Sequence, residues 1–230
     1  MARAALSPED IADFREVLTR AATRLFAAHG YEGVTLRALA DALGCSPMKP
    51  YRYVADKAEL FALVRTDAFR RFADRQEAAA AGGGAVVERL LRLKEAYIAF
   101  ALASPDAYRI MFELRQPQLG TYPALAAESR RAFGPLHRAV VEAVATGVLA
   151  GEPLHLAHLL WAHTHGLVSL HLAGQLVMGK SLEALASGAI GPTGLPTSRA
   201  SSEKTRASAR PEPAQRRKRK QEQKQKRSRG

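Results

Sequence analysis

Apolar residues recur along most of the chain at intervals of three or four, the period of an amphipathic α-helix. The first stripe follows Ser7 and Pro8, which suit the N-cap and first position of a helix, and it ends at Gly30. Its members are Ile11, Phe14, Leu18, Ala21, Ala22 and Leu25. Similar stripes predict helices from Lys57 into alanines 78–81, over 86–103, over 105–112, and from Pro123 to Gly151 with an interruption near Gly134-Pro135. No segment alternates convincingly as a strand, so the predicted fold class is all-α.

Residues 31–61 predict two short helices joined by a tight turn. Thr35 suits the N-cap of the first helix, and Gly44 suits a left-handed residue that ends it. Ser46 and Pro47 suit the start of the second helix. We expect this helix to bury Met48, Tyr51 and Val54 and to expose Lys49, Arg52 and Tyr53. Such a layout is typical of a DNA-reading helix-turn-helix, because the major groove admits one helix while the other braces it.

The spacing of this segment resembles the N-terminal domain of the tetracycline-repressor (TetR) family of bacterial transcriptional regulators. The resemblance covers roughly residues 11–62. It rests on Gly30-Tyr31-x-x-Val34-Thr35-Leu36-x-x-Leu39-Ala40-x-x-Leu43-Gly44-x-Ser46, followed by Tyr51-Arg52-Tyr53-x-x-x-Lys57-x-x-Leu60.

The resemblance implies a set of DNA-binding residues. Tyr51 and Lys57 would hold phosphates, and Thr35 and Arg37 would approach the backbone or a base. Four further residues complete the set, with Ser46 at the start of the reading helix and the rest facing the groove: Ser46, Lys49, Arg52 and Tyr53. Pro50 departs from the pattern, because it removes a backbone donor and disfavours helical angles at Lys49.

A second stretch, residues 153–179, contains five histidines and no Asp, Glu, Lys or Arg. A transmembrane helix is one interpretation, although its polar side chains argue against it. A metal site is another, because His155, His158 and His165 share a helical face, but no carboxylate or cysteine joins them in the segment. The favoured interpretation is a helix buried on nearly all sides, between a core and a subunit interface.

Within this stretch, Trp161-x-x-x-His165-Gly166 resembles the tryptophan-histidine-glycine signature of one C-terminal domain type in the TetR family. The resemblance implies a homodimer through the last two long helices, a palindromic double-stranded DNA operator, and release by a small-molecule effector that tilts the helix starting at Lys57. Arg109 and His165 are possible polar contacts to an aromatic, neutral or weakly anionic effector. The candidate pocket residues are Phe69, Phe72, Tyr97, Phe100, Tyr108, Met111, Phe112, Trp161 and His165.

Charge is distributed unevenly along the chain. Residues 187–230 hold 13 Lys and Arg against 3 Glu, so they carry +10 of the net +12. Their Gly, Pro, Ser and basic residues predict a disordered tail with non-specific DNA attraction. We therefore expect a DNA-binding domain over 1–56, a ligand-binding and dimerisation domain over 57–186, and a tail over 187–230.

The remaining composition bears on location and chemistry. A single cysteine and an N-terminus without an apolar stretch predict a cytoplasmic protein. No sequence pattern of a catalytic site, metal centre or cofactor site is convincing, so none is predicted. Two alternatives to a ligand-responsive repressor stay open: a non-specific architectural DNA-binding protein, and a histidine-rich metal-binding enzyme.

Overall fold

The computed structural model describes residues 8–112 and 121–186. Within these ranges the chain forms eight α-helices and one 3-10 helix, with no strand, which confirms the all-α prediction. The α-helices are α1 (Pro8–His29), α2 (Leu36–Ala42), α3 (Lys57–Ala81), α4 (Val86–Ala103), α5 (Pro105–Phe112), α6 (Pro123–Ala145), α7 (Pro153–Leu172) and α8 (Leu182–Ala186). The 3-10 helix is Pro50–Arg52. Three predicted features lie outside the described ranges: the Ser7 cap, the loop near Gln116-Pro117, and the tail.

Several helix ends follow from single residues that the sequence had indicated. The Thr35 hydroxyl accepts a hydrogen bond from the Ala38 amide at 3.0 Å and so caps α2. Gly44 has a φ of +61°, which is the left-handed conformation expected after α2. At α3 the Asp56 carboxylate accepts from the Glu59 amide at 2.8 Å. The capping predictions for Thr35 and Gly44 are confirmed.

The N-terminal helices enclose a core of their own. Leu18 and Phe26 of α1 and Leu39 of α2 are fully buried there. Phe61 of α3 packs edge-on against Phe26, with 4.8 Å between ring centroids. Ile110 of α5 also belongs to this core. Helices α3 and α5 therefore connect the N-terminal core to the rest of the molecule.

The C-terminal helices pack around two further clusters of buried side chains. One lies between α3, α4, α5, α6 and α7 and contains eight aromatic side chains, counting those that are only partly buried. These are Phe69, Phe72, Tyr97, Phe100, Tyr108, Phe112, Tyr122 and Trp161. The other cluster joins α4, α6 and α7 nearer the opposite ends of these helices. No helix of the described chain is long and apolar enough to cross a membrane.

Helix α6 corrects two predictions. It runs through Gly134-Pro135 without interruption, and it ends at Ala145 rather than at Gly151. Pro135 is buried on the face that packs against the core, so burial offsets the hydrogen bond that a proline removes. Beyond Ala145, Gly147 takes a φ of +72° and turns the chain towards α7.

Helix α7 is buried on its core side within the single chain. Only one face is buried within this chain, formed by Ala157, Leu160, Thr164 and Val168. Leu159 and Leu170 lie on another face, where they are 41% and 46% exposed. The predicted burial on the core side is therefore observed, and burial of the other face in a subunit interface stays a prediction, because the structure describes a single chain.

Candidate nucleic-acid interface and ligand cavity

The segment expected to read DNA is a series of tight turns, which corrects the predicted α-helix. The Lys49 amide donates to the Ser46 carbonyl at 2.8 Å, and the Tyr53 amide donates to the Pro50 carbonyl at 2.9 Å. Only Pro50–Arg52 is helical, and it is a 3-10 helix. Pro50 offers no amide hydrogen, so an α-helical bond to Ser46 cannot form at this position. Lys49 nevertheless keeps right-handed helical angles, with φ −65° and ψ −45°, contrary to expectation.

This tighter geometry changes which side chains are exposed. Tyr53 is only 7% exposed, and its ring packs against that of Phe14 in α1, with 4.4 Å between the ring centroids. The Arg15 guanidinium also donates to the Tyr53 carbonyl at 3.1 Å. The predicted outward position of Tyr53 is therefore wrong, and so are the predicted inward positions of Met48 and Tyr51, which are exposed. A 3-10 helix has three residues per turn, so its faces differ from those of an α-helix.

Five of the eight predicted DNA-binding residues are exposed: Thr35, Arg37, Ser46, Tyr51 and Arg52. Lys49 and Lys57 are partly exposed, and each ammonium group lies over an aromatic ring. The Lys49 Nζ atom is 4.1 Å from the Phe14 ring centroid, and the Lys57 Nζ atom is 4.4 Å from that of Tyr31. The cationic groups around α2 and the 3-10 helix are thus partly fixed by packing against rings.

A cavity of about 350 Å³ lies between α3, α4, α5, α6 and α7. The structure brings six of the predicted pocket residues together around it: Phe69, Phe72, Tyr97, Met111, Phe112 and Trp161. Phe100, Tyr108 and His165 do not line it. Arg109 also has another role, because it donates to the Ala27 carbonyl of α1 at 2.7 Å.

Tyr108 and His165 form a polar cluster behind the cavity wall. The Tyr108 hydroxyl lies 2.6 Å from the His165 Nδ1 atom, and the Tyr97 hydroxyl lies 3.1 Å from the same nitrogen. Burial raises the pKa of Tyr97 far above its ordinary value, so this hydroxyl stays protonated. His165 therefore bonds to two tyrosines, which fixes α7 against α4 and α5.

The other histidine interactions bear on the metal-site interpretation. The His158 Nδ1 atom lies 2.8 Å from the Leu154 carbonyl oxygen of its own helix, and its ring packs against Phe133. His158 and His165 thus contact different groups. In the described ranges, no three His, Cys, Asp or Glu residues are arranged to hold a metal ion.

Sequence reasoning missed several residues that line the cavity: Arg65, Gln76, Ser129, Arg130, Phe133, Leu136 and His158. Arg65 is only 4% exposed. One of its amino groups, Nη2, donates to the Met111 carbonyl at 3.2 Å. A signal was present, because Arg65 and Gln76 interrupt the buried face of α3 at core positions.

Parts of this sequence and the fold as a whole are similar to those of known proteins. The chain is 46% identical over 57 residues to the HTH-type transcriptional repressor AcnR of Corynebacterium efficiens. That alignment covers 24% of this chain and only 30% of the relative's length.

Two solved structures share the fold over most of the chain. A TetR family transcription regulator from Marinobacter aquaeolei VT8 has a TM-score of 0.62 and 22% identity, covering 78% of this chain and 94% of that one. A bacterial regulatory protein of the same family from Rhodococcus RHA1 has a TM-score of 0.60 and 21% identity, covering 67% of this chain and 83% of that one. At these identities the likeness concerns the fold alone.

Two family models match consecutive parts of the sequence. The model of bacterial regulatory proteins of the tetR family matches residues 18–64, which include α2 and the 3-10 helix. The model of the tetracyclin repressor-like C-terminal domain matches residues 90–191, which include Trp161-x-x-x-His165-Gly166. Together they cover more than half of the chain, and the chain therefore belongs to the TetR family of transcriptional regulators, which are DNA-binding proteins and not enzymes.

Proposed function

We propose that this regulator is a cytoplasmic repressor that binds a palindromic operator as a homodimer and releases it when a small molecule enters the C-terminal domain. The observation that carries the proposal is the path of α3. This helix starts beside the DNA-facing turns, contributes Phe61 to the N-terminal core, and then lines the cavity with Phe69 and Phe72. DNA and ligand therefore act on the same rigid element.

The DNA-binding role rests on exposed side chains supported by a buried core. Thr35 and Arg37 extend from the start of α2, and Tyr51 and Arg52 extend from the 3-10 helix. Arg can make paired hydrogen bonds to guanine, whereas Thr and Tyr hydroxyls suit phosphate oxygens. We assign base reading to Arg52 and phosphate contacts to Tyr51 and Lys57. Lys49 would have to leave the Phe14 ring to reach DNA.

Dimerisation is supported by the uncovered apolar face of α6 and α7. Leu159 and Leu170 of α7 and Val141 of α6 are exposed in the single chain. At Gly166, an added Cβ atom would meet nothing within 4 Å, so contacts inside this chain do not require glycine there. A partner helix that approaches closely would require it. These features favour pairing of α6 and α7 with their symmetry mates.

Release of DNA follows from the linkage of the two domains. Met111 and Phe112 of α5 line the cavity, while Arg109 of the same helix donates to the Ala27 carbonyl of α1. A ligand that shifts α3 and α5 would move the DNA-facing turns of both protomers. For a typical allosteric coupling, it must prefer the DNA-free state by about 1 to 3 kcal/mol.

Footprinting of the purified protein on the intergenic DNA upstream of its own gene tests this proposal. Two protected half-sites related by a dyad, with centres about one helical turn or more apart, are expected for a homodimer. The Arg52→Ala variant should lose the footprint at concentrations where the Arg20→Ala variant, altered at an exposed arginine of α1, keeps it. Uniform protection without half-sites would contradict the proposal and favour an architectural DNA-binding protein.

A further inference from the structure

We propose that the effector of this regulator is an organic monocarboxylate with an aromatic or alkyl body, and that its carboxylate binds the Arg65 guanidinium inside the cavity. This inference rests on the proposed ligand response and names the chemical class of the ligand. It is carried by an unusual combination, a buried cation with unused donors at the wall of an apolar cavity.

The first observation is the incomplete pairing of Arg65. Its Nη2 atom donates to the Met111 carbonyl at 3.2 Å, which orients the guanidinium group. Its Nε and Nη1 atoms are buried and have no hydrogen-bond partner among the described residues. Burial lowers the pKa of Arg65 to about 10, so the group still carries its charge at neutral pH.

The second observation is that no carboxylate of the described residues compensates this charge. None of the described residues that line the cavity is Asp or Glu, and Arg130 adds a second guanidinium group. A buried charge without a partner is costly, because its hydration is lost and nothing replaces it. Because these donors are buried, the guanidinium group must turn towards the cavity before an arriving carboxylate can accept their hydrogen bonds and neutralise the charge.

The third observation defines the rest of the ligand. Phe69, Phe72, Phe112 and Trp161 surround the cavity, and its volume of about 350 Å³ suits a small organic molecule. Such walls favour an apolar body, and the guanidinium group favours one anionic end. A strongly hydrated inorganic anion would gain nothing from the rings, and a neutral hydrocarbon would leave Arg65 unpaired.

The position of Arg65 also connects binding to the DNA-facing turns. It lies one turn beyond Phe61 on α3, and Phe61 belongs to the N-terminal core. Its one hydrogen bond reaches α5 through the Met111 carbonyl. A carboxylate that rearranges this guanidinium therefore acts on both helices that join the two parts of the molecule.

Arg75 provides a matched control on the same helix. Its guanidinium carbon lies 5.6 Å from the Phe100 ring centroid, much as that of Arg65 lies 5.7 Å from the Phe69 ring centroid. Arg75 is exposed, however, and does not line the cavity. If only the contact between an arginine and an aromatic ring mattered, replacing Arg65 and replacing Arg75 would have the same effect on ligand binding.

The test is a fluorescence titration of the full-length protein without DNA, because Trp161 is the only tryptophan and lines the cavity. The probes are phenylbutanoate and octanoate, each compared with its own neutral amide. We expect each acid to bind at least about tenfold more tightly than its amide, and Arg65→Met to abolish this preference while amide binding persists. Arg75→Met should retain the preference.

Equal binding of acids and amides, no binding of either acid, or an unchanged preference in Arg65→Met would overturn the inference. Thermal unfolding checks that Arg65→Met folds, and removal of an unpaired buried charge should leave it at least as stable as the parent protein. If it fails to fold, Arg65→Gln replaces it. DNA release is measured separately, so an acid that binds without releasing DNA supports the anion site and contradicts the proposed ligand response.

Discussion

At the scale of single residues, aromatic rings position two cations of the proposed DNA-binding surface. Phe14 and Tyr31 lie under the ammonium groups of Lys49 and Lys57. Cation–π contacts at exposed sites contribute about 0.5 to 1 kcal/mol, which a phosphate contact can replace. Arg37 and Arg52, by contrast, are exposed, and neither lies over an aromatic ring of the described residues. They are the cations most directly available to DNA.

Arg52 is expected to carry base recognition. Replacing it by alanine should weaken operator binding by about 1 to 3 kcal/mol and relax the preference at one position of each half-site. Fluorescence anisotropy with operator duplexes altered at single positions measures both effects. Arg20→Ala, which removes an exposed charge from α1, should change affinity little. A uniform loss of affinity across all duplexes would instead make Arg52 a phosphate contact.

The tyrosine–histidine cluster is expected to contribute to stability. Tyr108→Phe removes the hydroxyl group that lies 2.6 Å from the His165 Nδ1 atom, at a position with no exposure to solvent. The free energy of unfolding should fall by about 1 to 2 kcal/mol, because a buried hydrogen bond is lost. Urea denaturation gives this value. Tyr122→Phe is the control, since the Tyr122 hydroxyl takes no part in the hydrogen bonds of this cluster in the described part of the chain.

At the scale of secondary-structure elements, the N-cap of α7 should make stability depend on pH. The Glu152 carboxylate accepts hydrogen bonds from the Leu154 and His155 amides, and these bonds lower its pKa in the folded protein. A lowered pKa stabilises the fold at neutral pH, and this stabilisation disappears as the pH falls through the folded-state value.

Glu152→Gln tests this dependence, because the amide keeps an acceptor oxygen but does not titrate. Between roughly pH 5 and pH 3, the unfolding free energy of the parent protein should fall more steeply than that of the variant. Denaturant titrations at several pH values provide the comparison. Parallel curves for the two proteins would show that Glu152 does not stabilise α7 through its charge.

Local signals allowed prediction of most helices but not of their faces. Thr35, Gly44 and Asp56 act within one turn of their own position, so capping and helix ends were predictable. The reading segment was not, because Ser46-Pro47 suits the start of an α-helix. The 3-10 form depends on Pro50 and on packing of Tyr53 against Phe14, which is distant in sequence.

The cavity was predictable only in part, because its walls also depend on packing between residues that are distant in sequence. Its aromatic walls could be identified from periodic positions, although Phe100 and Tyr108 proved to be buried beside it. Arg65 and Gln76 were overlooked because the pocket prediction on α3 included only Phe69 and Phe72. A polar residue that interrupts an apolar stripe is the sequence signal for such a position.

At the scale of the whole molecule, the α6–α7 face is expected to control assembly. The double variant Leu159→Glu and Leu170→Glu would place charges within the proposed dimer interface, where no partner compensates them. It should sediment as a monomer with unchanged helix content, and operator affinity should fall because two half-sites can no longer be bound together.

The control for assembly is Leu102→Glu, which alters an exposed leucine of α4 instead. It should sediment like the parent protein. A dimer that persists in the double variant would locate the subunit interface elsewhere, and a monomeric parent protein would contradict the proposed palindromic operator.

The net positive charge of the chain is expected to add a sequence-independent contribution to its DNA affinity. Because residues 187–230 carry +10 of the +12, they can attract DNA without reading its sequence. Each phosphate that they neutralise adds about 0.9 to the slope of log affinity against log salt. Removal of these residues should therefore lower that slope and reduce non-specific binding, while a specific operator preference remains.

The most direct test of the central claim is anisotropy with the intergenic DNA upstream of the gene and with a scrambled duplex of equal length, at several salt concentrations. A specific repressor should prefer the first duplex by about a thousandfold, or roughly 4 kcal/mol, both with and without residues 187–230. Equal affinity for the two duplexes, lost when residues 187–230 are removed, would contradict specific operator recognition.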